Sequence, residues 1–501
     1  MRCAEASALM RWLALILLLV SAGSALASGG FSVQNLTPAT LDSRTTLVAA
    51  NDIFAERDGD LHAAWIQGSN GVGEVYYYRF NNASGKWLAG VPLTQGAQAS
   101  NVSISGDYLG NIHCVWEDAT GIFHSMWNVT SEEWSEPEPV SRDGGSPIVI
   151  CDGTPNVHVL WIQRGTGGRS YLAHRYKDPY ENWTQIVAVT PKEGRVSDIS
   201  ATIDDRNGLH VALKMELESG KGFDLYYVHR RAGREWDPYR RIAEASGGEI
   251  NTPSIAVDDD GFVHVVWVQG DEGQSKIFSR SWRGGWEEAK TLINSPQASN
   301  PYISSDEDGN LHLVWIDAPN DTAGGQAVYY RRYWKIGVWS YPLMVSEQTP
   351  ADPVCPPRVV VSPRTQNVNV LWTESRGKVG SVMFARLLGE RRLDVLRAAS
   401  RAQTSLGEIR NRVLHSRKAE DRLKEAEAAF DEGVELLRKL DPGSALSRFK
   451  SCVELVDQAQ ELEDAYKESY GKRMGAAFAA AGLVVAALIL SGWAIARRRQ
   501  T

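Results

Sequence analysis

The sequence predicts a mainly β fold: a seven-bladed β-propeller of four-stranded blades, then an α-helical hairpin neck and one C-terminal transmembrane helix. Three observations predict it. The stretch DDDGFVHVVW (258–267) recurs as DEDGNLHLVW (306–315), DYLGNIHCVW (107–116) and ERDGDLHAAW (56–65). Its period, about fifty residues, marks a repeat architecture. After residue 387, Trp and strand formers give way to Leu, Ala, Glu, Lys and Arg, and 474–496 carries no charge.

In chain order, the N-terminus comes first. Arg2 and Arg11 precede an apolar run, and Ala25-Leu26-Ala27 is a small-x-small site. Residues 1–27 are therefore expected to be a secretory signal, cut before Ser28. The propeller is expected over 28–387. Its repeats align on His62, His113, His158, His210, His264 and His312, with Asn369 in the seventh copy. Three residues on stand Trp65, Trp116, Trp161, Trp267, Trp315 and Trp372, with Leu213 in the fourth copy.

Each unit reads as four strands. A short apolar run such as PSIAV (253–257) is followed by an Asp/Gly turn and a second strand, FVHVVW (262–267). A Gly-rich loop leads to a third, such as VYYYRF (75–80) or LYYVHR (225–230). The fourth opens on Trp87, Trp134, Trp183, Trp236, Trp286 or Trp339. Alternation with period two argues for strands, and Asp and Gly supply the positive φ of tight hairpins. Radial repetition of such units leaves only short, protected edges. The seventh unit lacks its Trp-led strand. FSVQNLTP (31–38), similar to WSEPEPVS (134–141) with Phe31 in the Trp place, is expected to supply it and close the ring.

The neck is expected over 388–473. Apolar residues step by three and four from Leu406 through Ile409, Val413, Leu423, Ala426, Phe430, Val434 and Leu437. The stretch DPGS (441–444) breaks that helix and starts a second, giving an antiparallel hairpin; a further helical turn before 400 is left open. Pairing of this neck with a second copy is an alternative to plain spacing. The apolar run 474–496 is long enough to span a bilayer. Arg497, Arg498 and Arg499 in the tail (497–501) place that end in the cytoplasm and the propeller outside a cell membrane.

Composition narrows the function. The chain has 501 residues and a net charge of −8, which argues against a nucleic-acid-binding surface. Five cysteines are too few for a disulfide scaffold. Sequons at Asn35, Asn82, Asn101, Asn128, Asn182 and Asn320 agree with an exported, glycosylated front part.

The pattern D-x-x-G-x-[IVL]-H-x-[VA]-W, followed by Y-x-R and a Trp-led strand, resembles the sialidase-like, BNR-type propellers of secreted microbial proteins over about 31–387. The resemblance implies the fold. For an active member it would also imply an arginine triad, a Tyr/Glu nucleophile pair and an Asp acid/base. No unit fits the family's S-x-D-x-G-x-x-W box; SSDEDGNLHLVW (304–315) has the wrong spacing, and an R-I-P element is missing. Arg79, Arg175, Arg230, Arg280, Arg331 and Arg386 follow the repeat, whereas a substrate clamp breaks it. They are expected to pair with acidic turns or stack on aromatics. Catalytic residues are left unassigned.

No metal or cofactor is expected. Equivalent histidines on separate blades stand too far apart for metal bonds of about 2 Å, so each is expected to bond its own Asp turn. Two residues after each Trp stand Gln67, Asp118, Gln163, Gln269, Asp317 and Glu374, with Met215 in the fourth copy. They are expected near one rim, beside variable loops, where amides and carboxylates would bind a glycan or a surface protein; the alternative is that they only cap strand ends. The function expected is non-enzymatic recognition or adhesion at a cell surface. The alternatives are a membrane-tethered, sialidase-type glycoside hydrolase and a structural cell-envelope protein.

Overall fold

The computed structural model describes residues 31–36, 46–69, 72–178, 180, 182–217, 222–270, 274–318, 325–346, 352–376, 379–389 and 393–498. The signal (1–27) and Asn320 lie outside them. The chain divides into two compact units, a propeller and a helical unit.

The propeller has seven blades, spanning 46–92, 101–141, 145–188, 195–243, 250–293, 299–344 and 352–387 with 32–35. Each is an antiparallel meander. The fifth runs Ile250–Val257, Val263–Gln269, Lys276–Trp282 and Lys290–Ile293. First strands of neighbouring blades touch one another all the way round, so they line the axis. The turn between first and second strands is an Asx turn. In the fifth blade Asp258 Oδ1 accepts from the N–H groups of Asp260 (3.1 Å) and Phe262 (2.8 Å). Gly261 there has φ 78°, a value that favours glycine.

The ring closes as the repeats predict. Ser32–Asn35 lies antiparallel on Val379–Leu387, from Ser32 opposite Arg386 to Asn35 opposite Met383. Phe31 is fully buried, its ring edge-on to Tyr330 of the sixth blade at 5.5 Å.

The core sits between blades. Each repeat Trp is at most 1% exposed, and Trp65, Trp116, Trp161 and Trp267 cluster with residues of the preceding blade. Trp65 meets Leu371, Val382 and Phe384, and Trp267 meets Ala212, Leu225 and Ile242.

The helical unit contains α1 (Leu393–Arg410), α2 (Arg417–Arg438) and α3 (Pro442–Arg498). α2 and α3 form the expected hairpin, broken at Leu440, whose φ is 59°. They approach closely: a Cβ on Gly433 would lie 2.7 Å from the Phe449 ring. α1 is a full helix rather than one turn, because Val395, Leu396, Ala399, Ala402, Leu406 and Ile409 make a buried stripe at helical spacing. α3 runs without a break through residue 474. Its end is long and apolar enough to cross a membrane, and Phe478, Leu483, Val484, Val485 and Leu488 are exposed.

Glu463 on α3 satisfies the start of α2. Its Oε2 accepts from the N–H groups of His415 and Ser416, both at 2.9 Å. Burial works to raise its pKa, but these donors, His415 Nδ1 and Lys467 outweigh burial and hold it down to about 2. A carboxylate held below its unfolded pKa stabilises fully above that value, and the contribution is lost as pH falls through the folded one.

Two outcomes follow. Phe31→Ala will lower propeller stability by about 3–5 kcal/mol in denaturant unfolding of the detergent-solubilised chain. Glu463→Gln will destabilise the helical unit by about 1–2 kcal/mol at pH 7. The difference from wild type will vanish as pH falls from about 4.5 towards 2, as followed by helical circular dichroism.

Candidate functional site

The repeat histidines form hydrogen-bonded lines within their own blades. Nε2 of His113, His158, His210, His264 and His312 lies 3.0–3.3 Å from the turn carboxylate six residues upstream. In the first blade Glu56 takes that place, 3.2 Å from His62. Nδ1 meets a third-strand group: Tyr77 Oη at 2.7 Å, His124 Nε2 at 3.0 Å, His174 Nε2 at 3.1 Å, Tyr227 Oη at 2.7 Å or Tyr330 Oη at 2.8 Å. The fifth blade uses Ser281 Oγ at 2.9 Å. In the seventh, Phe384 occupies the ring position and offers no polar atom. Asn369 there bonds Arg386 Nε at 2.8 Å.

The line continues into the next blade through ring edges. Tyr77, His124, His174 and Tyr227 meet Trp134, Trp183, Trp236 and Trp286 in T-shaped contacts at 4.9–5.5 Å. Phe384 meets Trp87 in the same way at 5.2 Å. The role of these third-strand rings did not stand out in the sequence, because Tyr, His and Phe alternate at the position.

The predicted rim residues have a local partner. The indole N–H groups of Trp65, Trp161, Trp267, Trp315 and Trp372 donate to Gln67, Gln163, Gln269, Asp317 and Glu374 at 2.8–3.2 Å. Gln67, Asp317 and Glu374 are buried. Asp118 instead closes its hairpin, accepting from the N–H groups of Thr120 and Gly121. In the fourth blade Leu213 needs no acceptor, and Met215 replaces it. This placement is that of strand-end caps.

The recurring arginines also serve the scaffold. Arg79 pairs with Asp60 at 2.8 Å. Arg175 and Arg280 bond carbonyls of the preceding blade and lie over Trp183 and Trp286. Arg230 lies over Tyr176, Arg331 donates to the Leu292 carbonyl, and Arg386 lies over Phe80. Among the sequon residues, Asn35 and Asn182 are exposed and Asn128 is half-buried. The amides of Asn82 and Asn101 donate to the Asp58 carbonyl and Glu117.

Two places break the repeat symmetry. The first is at the axis, where first strands of four blades bring together Asp52, Ser103, Tyr302 and Arg358. Arg358 lies 3.8 Å from Asp52 and over the Tyr302 ring at 4.7 Å; Ser103 Oγ donates to Asp52 at 2.9 Å. Burial raises the pKa of Asp52 and pushes Tyr302 up to about 12. Asp198, on the first strand of the fourth blade, is pushed by burial up to about 6. The set offers the Arg358 guanidinium, with Lys214 also near Asp198, and a carboxyl that holds a proton at mildly acidic pH.

The second is a groove of about 950 Å³ between the fourth and fifth blades. Tyr227, Phe262, Trp282 and Trp286 line it, with the acidic turns 204–205 and 258–260 and with Arg206, Arg231 and Arg234. Burial works to raise the pKa of Asp204 and Asp258, but bonds from His210 and His264 and from turn N–H groups outweigh it and hold both acids ionised.

No protein-family description matches the chain, and no curated protein does. Solved structures do. The polysaccharide lyase PL25, an ulvan lyase, matches 75% of this chain and 98% of its own at TM-score 0.50 and 12% identity. The polysaccharide lyase Uly1 matches 68% and 90% at 0.49 and 8% identity. The NanB sialidase of Streptococcus pneumoniae matches 71% and 70% at 0.42 and 11% identity. The likeness to the ulvan lyase is one of fold. The seven-bladed propeller expected from the repeats is the fold observed.

The indole–acceptor pairing makes a testable unit. Trp267→Leu alone leaves the Gln269 oxygen without its donor, and Gln269→Met alone leaves the indole without its acceptor. The double variant, which copies the fourth blade, will be more stable than the sum of the two single losses by about 1 kcal/mol in a double-mutant cycle.

Proposed function

We propose that the chain is a cell-surface protein, held by its C-terminal helix with the propeller outside, that binds carbohydrate through the groove between the fourth and fifth blades without cleaving it. The observation that carries this reading is the groove's lining. Four half-buried aromatic rings alternate with carboxylates and guanidinium groups. Ring faces pack on the apolar faces of sugars, and planar charged groups fix hydroxyls in pairs. Glycoside cleavage asks for a carboxyl kept protonated as the acid, and Asp204 and Asp258 are held ionised instead. The basic tail supports the orientation.

The axial set favours a second reading, a glycoside hydrolase. Asp198, with its pKa near 6, is suited to donate a proton, and Arg358 to hold an anionic group. One experiment separates the two. The detergent-solubilised chain is applied to a broad glycan panel, and both retention and cleavage are read. Retention without product is expected, reduced tenfold or more by Trp282→Ala and unchanged by Asp198→Asn. Product formation that Asp198→Asn abolishes would overturn the binding reading in favour of the hydrolase.

A further inference from the structure

We propose that the fourth blade holds a divalent transition-metal site, of the kind zinc occupies, made by Asp204, His210 and His229. Oxygen and nitrogen donors from these three residues all lie within 4.8 Å of one another. The inference does not rest on the carbohydrate reading.

The argument starts from one position of the repeat. On the third strand, the residue opposite the repeat histidine is Arg79 in the first blade, Arg332 in the sixth and Arg386 in the seventh. Arg79 and Arg332 pair with turn acids, Asp60 at 2.8 Å and Asp306 at 3.0 Å; Arg386 bonds Asn369. Three blades thus place a cation there, while the second, third and fifth have Met126, Tyr176 and Ser281. In the fourth blade the residue is His229, opposite His210. The guanidinium is replaced by an imidazole, and the acid remains. A dication bound to that imidazole would restore the charge that arginine supplies elsewhere.

The local geometry fits. Asp204 Oδ2 and His210 Nε2 are 3.1 Å apart. Ligands on a tetrahedral zinc with bonds of about 2.1 Å stand roughly 3.4 Å from each other. The His210 and His229 rings have centroids 4.4 Å apart. His229 Nδ1 lies 3.3 Å from Asp237 Oδ2. His210 Nδ1 meets Tyr227 Oη at 2.7 Å. A ligating imidazole whose other nitrogen is held by a carboxylate or hydroxyl is the usual outer arrangement of a metal site. Two imidazoles and one carboxylate suit zinc, cobalt or nickel rather than calcium or magnesium. Three protein ligands leave a fourth position for water, and these residues line the groove.

The test uses the full chain in detergent, stripped of metal by chelation and titrated calorimetrically with zinc alone. One zinc per chain and a rise in Tm are expected. Cobalt in the same site will show the visible d–d absorption that is strong only in a four-coordinate field. His229→Arg, which installs the residue of the first, sixth and seventh blades, will keep the metal-free Tm and weaken zinc binding roughly 100-fold or more. His229→Ser, after the residue of the fifth blade, gives an independent check. Absence of zinc binding to the wild-type chain would overturn the proposal, as would equal binding by either variant.

Discussion

The line from turn carboxylate to repeat histidine to third-strand ring, ending on the next blade's tryptophan, is the constraint on which the propeller depends. Its parts differ in kind. Burying one indole removes some 150–250 Å² from water, worth about 4–6 kcal/mol. A hydrogen bond contributes only about 1 kcal/mol net. The fully buried repeat tryptophans, Trp65 and its equivalents, therefore drive the blades together. The histidines decide how they meet. A buried imidazole left without partners costs about 1–3 kcal/mol, and a one-residue slip of the second strand would turn it to the wrong face. Attraction without register would give stacked sheets; the polar line makes them one ring.

This explains how much the sequence disclosed. The acid, the glycine, the histidine and the tryptophan serve most blades, so they recur as letters, and the propeller and its closing strand could be read from them despite Leu213 and Asn369. The third-strand position needs only a ring or a hydroxyl that reaches Nδ1. Tyr77, Tyr227 and Tyr330, or His124 and His174, meet that need, and the fifth blade meets it from a different position with Ser281, so no single letter marks it. Gln67 and its equivalents did recur, and their purpose was ambiguous until Trp65 Nε1 was placed 3.0 Å from Gln67 Oε1. The axial group was hidden for another reason. Asp52, Ser103, Tyr302 and Arg358 belong to four blades and meet only when the ring closes. α1 was legible in its stripe from Val395 to Ile409 but begins close to where the strand pattern fades.

Repetition also marks where function is free to settle. A residue that serves the ring is copied; a residue that departs from the copy has been released from that duty or given another. The fourth blade departs at several positions. Leu213 and Met215 together remove the indole and its acceptor, and Asn207, at φ 61°, stands near the turn position that glycine holds elsewhere. His229 stands at a position that three other blades give to arginine. The groove beside this blade inherits a charged, ring-lined wall without the symmetry of its neighbours.

The closing strand sets an order of events during synthesis. Ser32 leaves the ribosome before any blade exists, yet its partner Arg386 lies 354 residues downstream. Until that partner emerges, the leading segment has no sheet to join and the first blade has one open flank. Such a long wait makes the last step of folding non-local and slow, and it exposes an unpaired edge in the interval. The growing chain is thus most vulnerable to capture by a foreign strand while six blades are made and the seventh is not. The first strand to appear is the last to be secured.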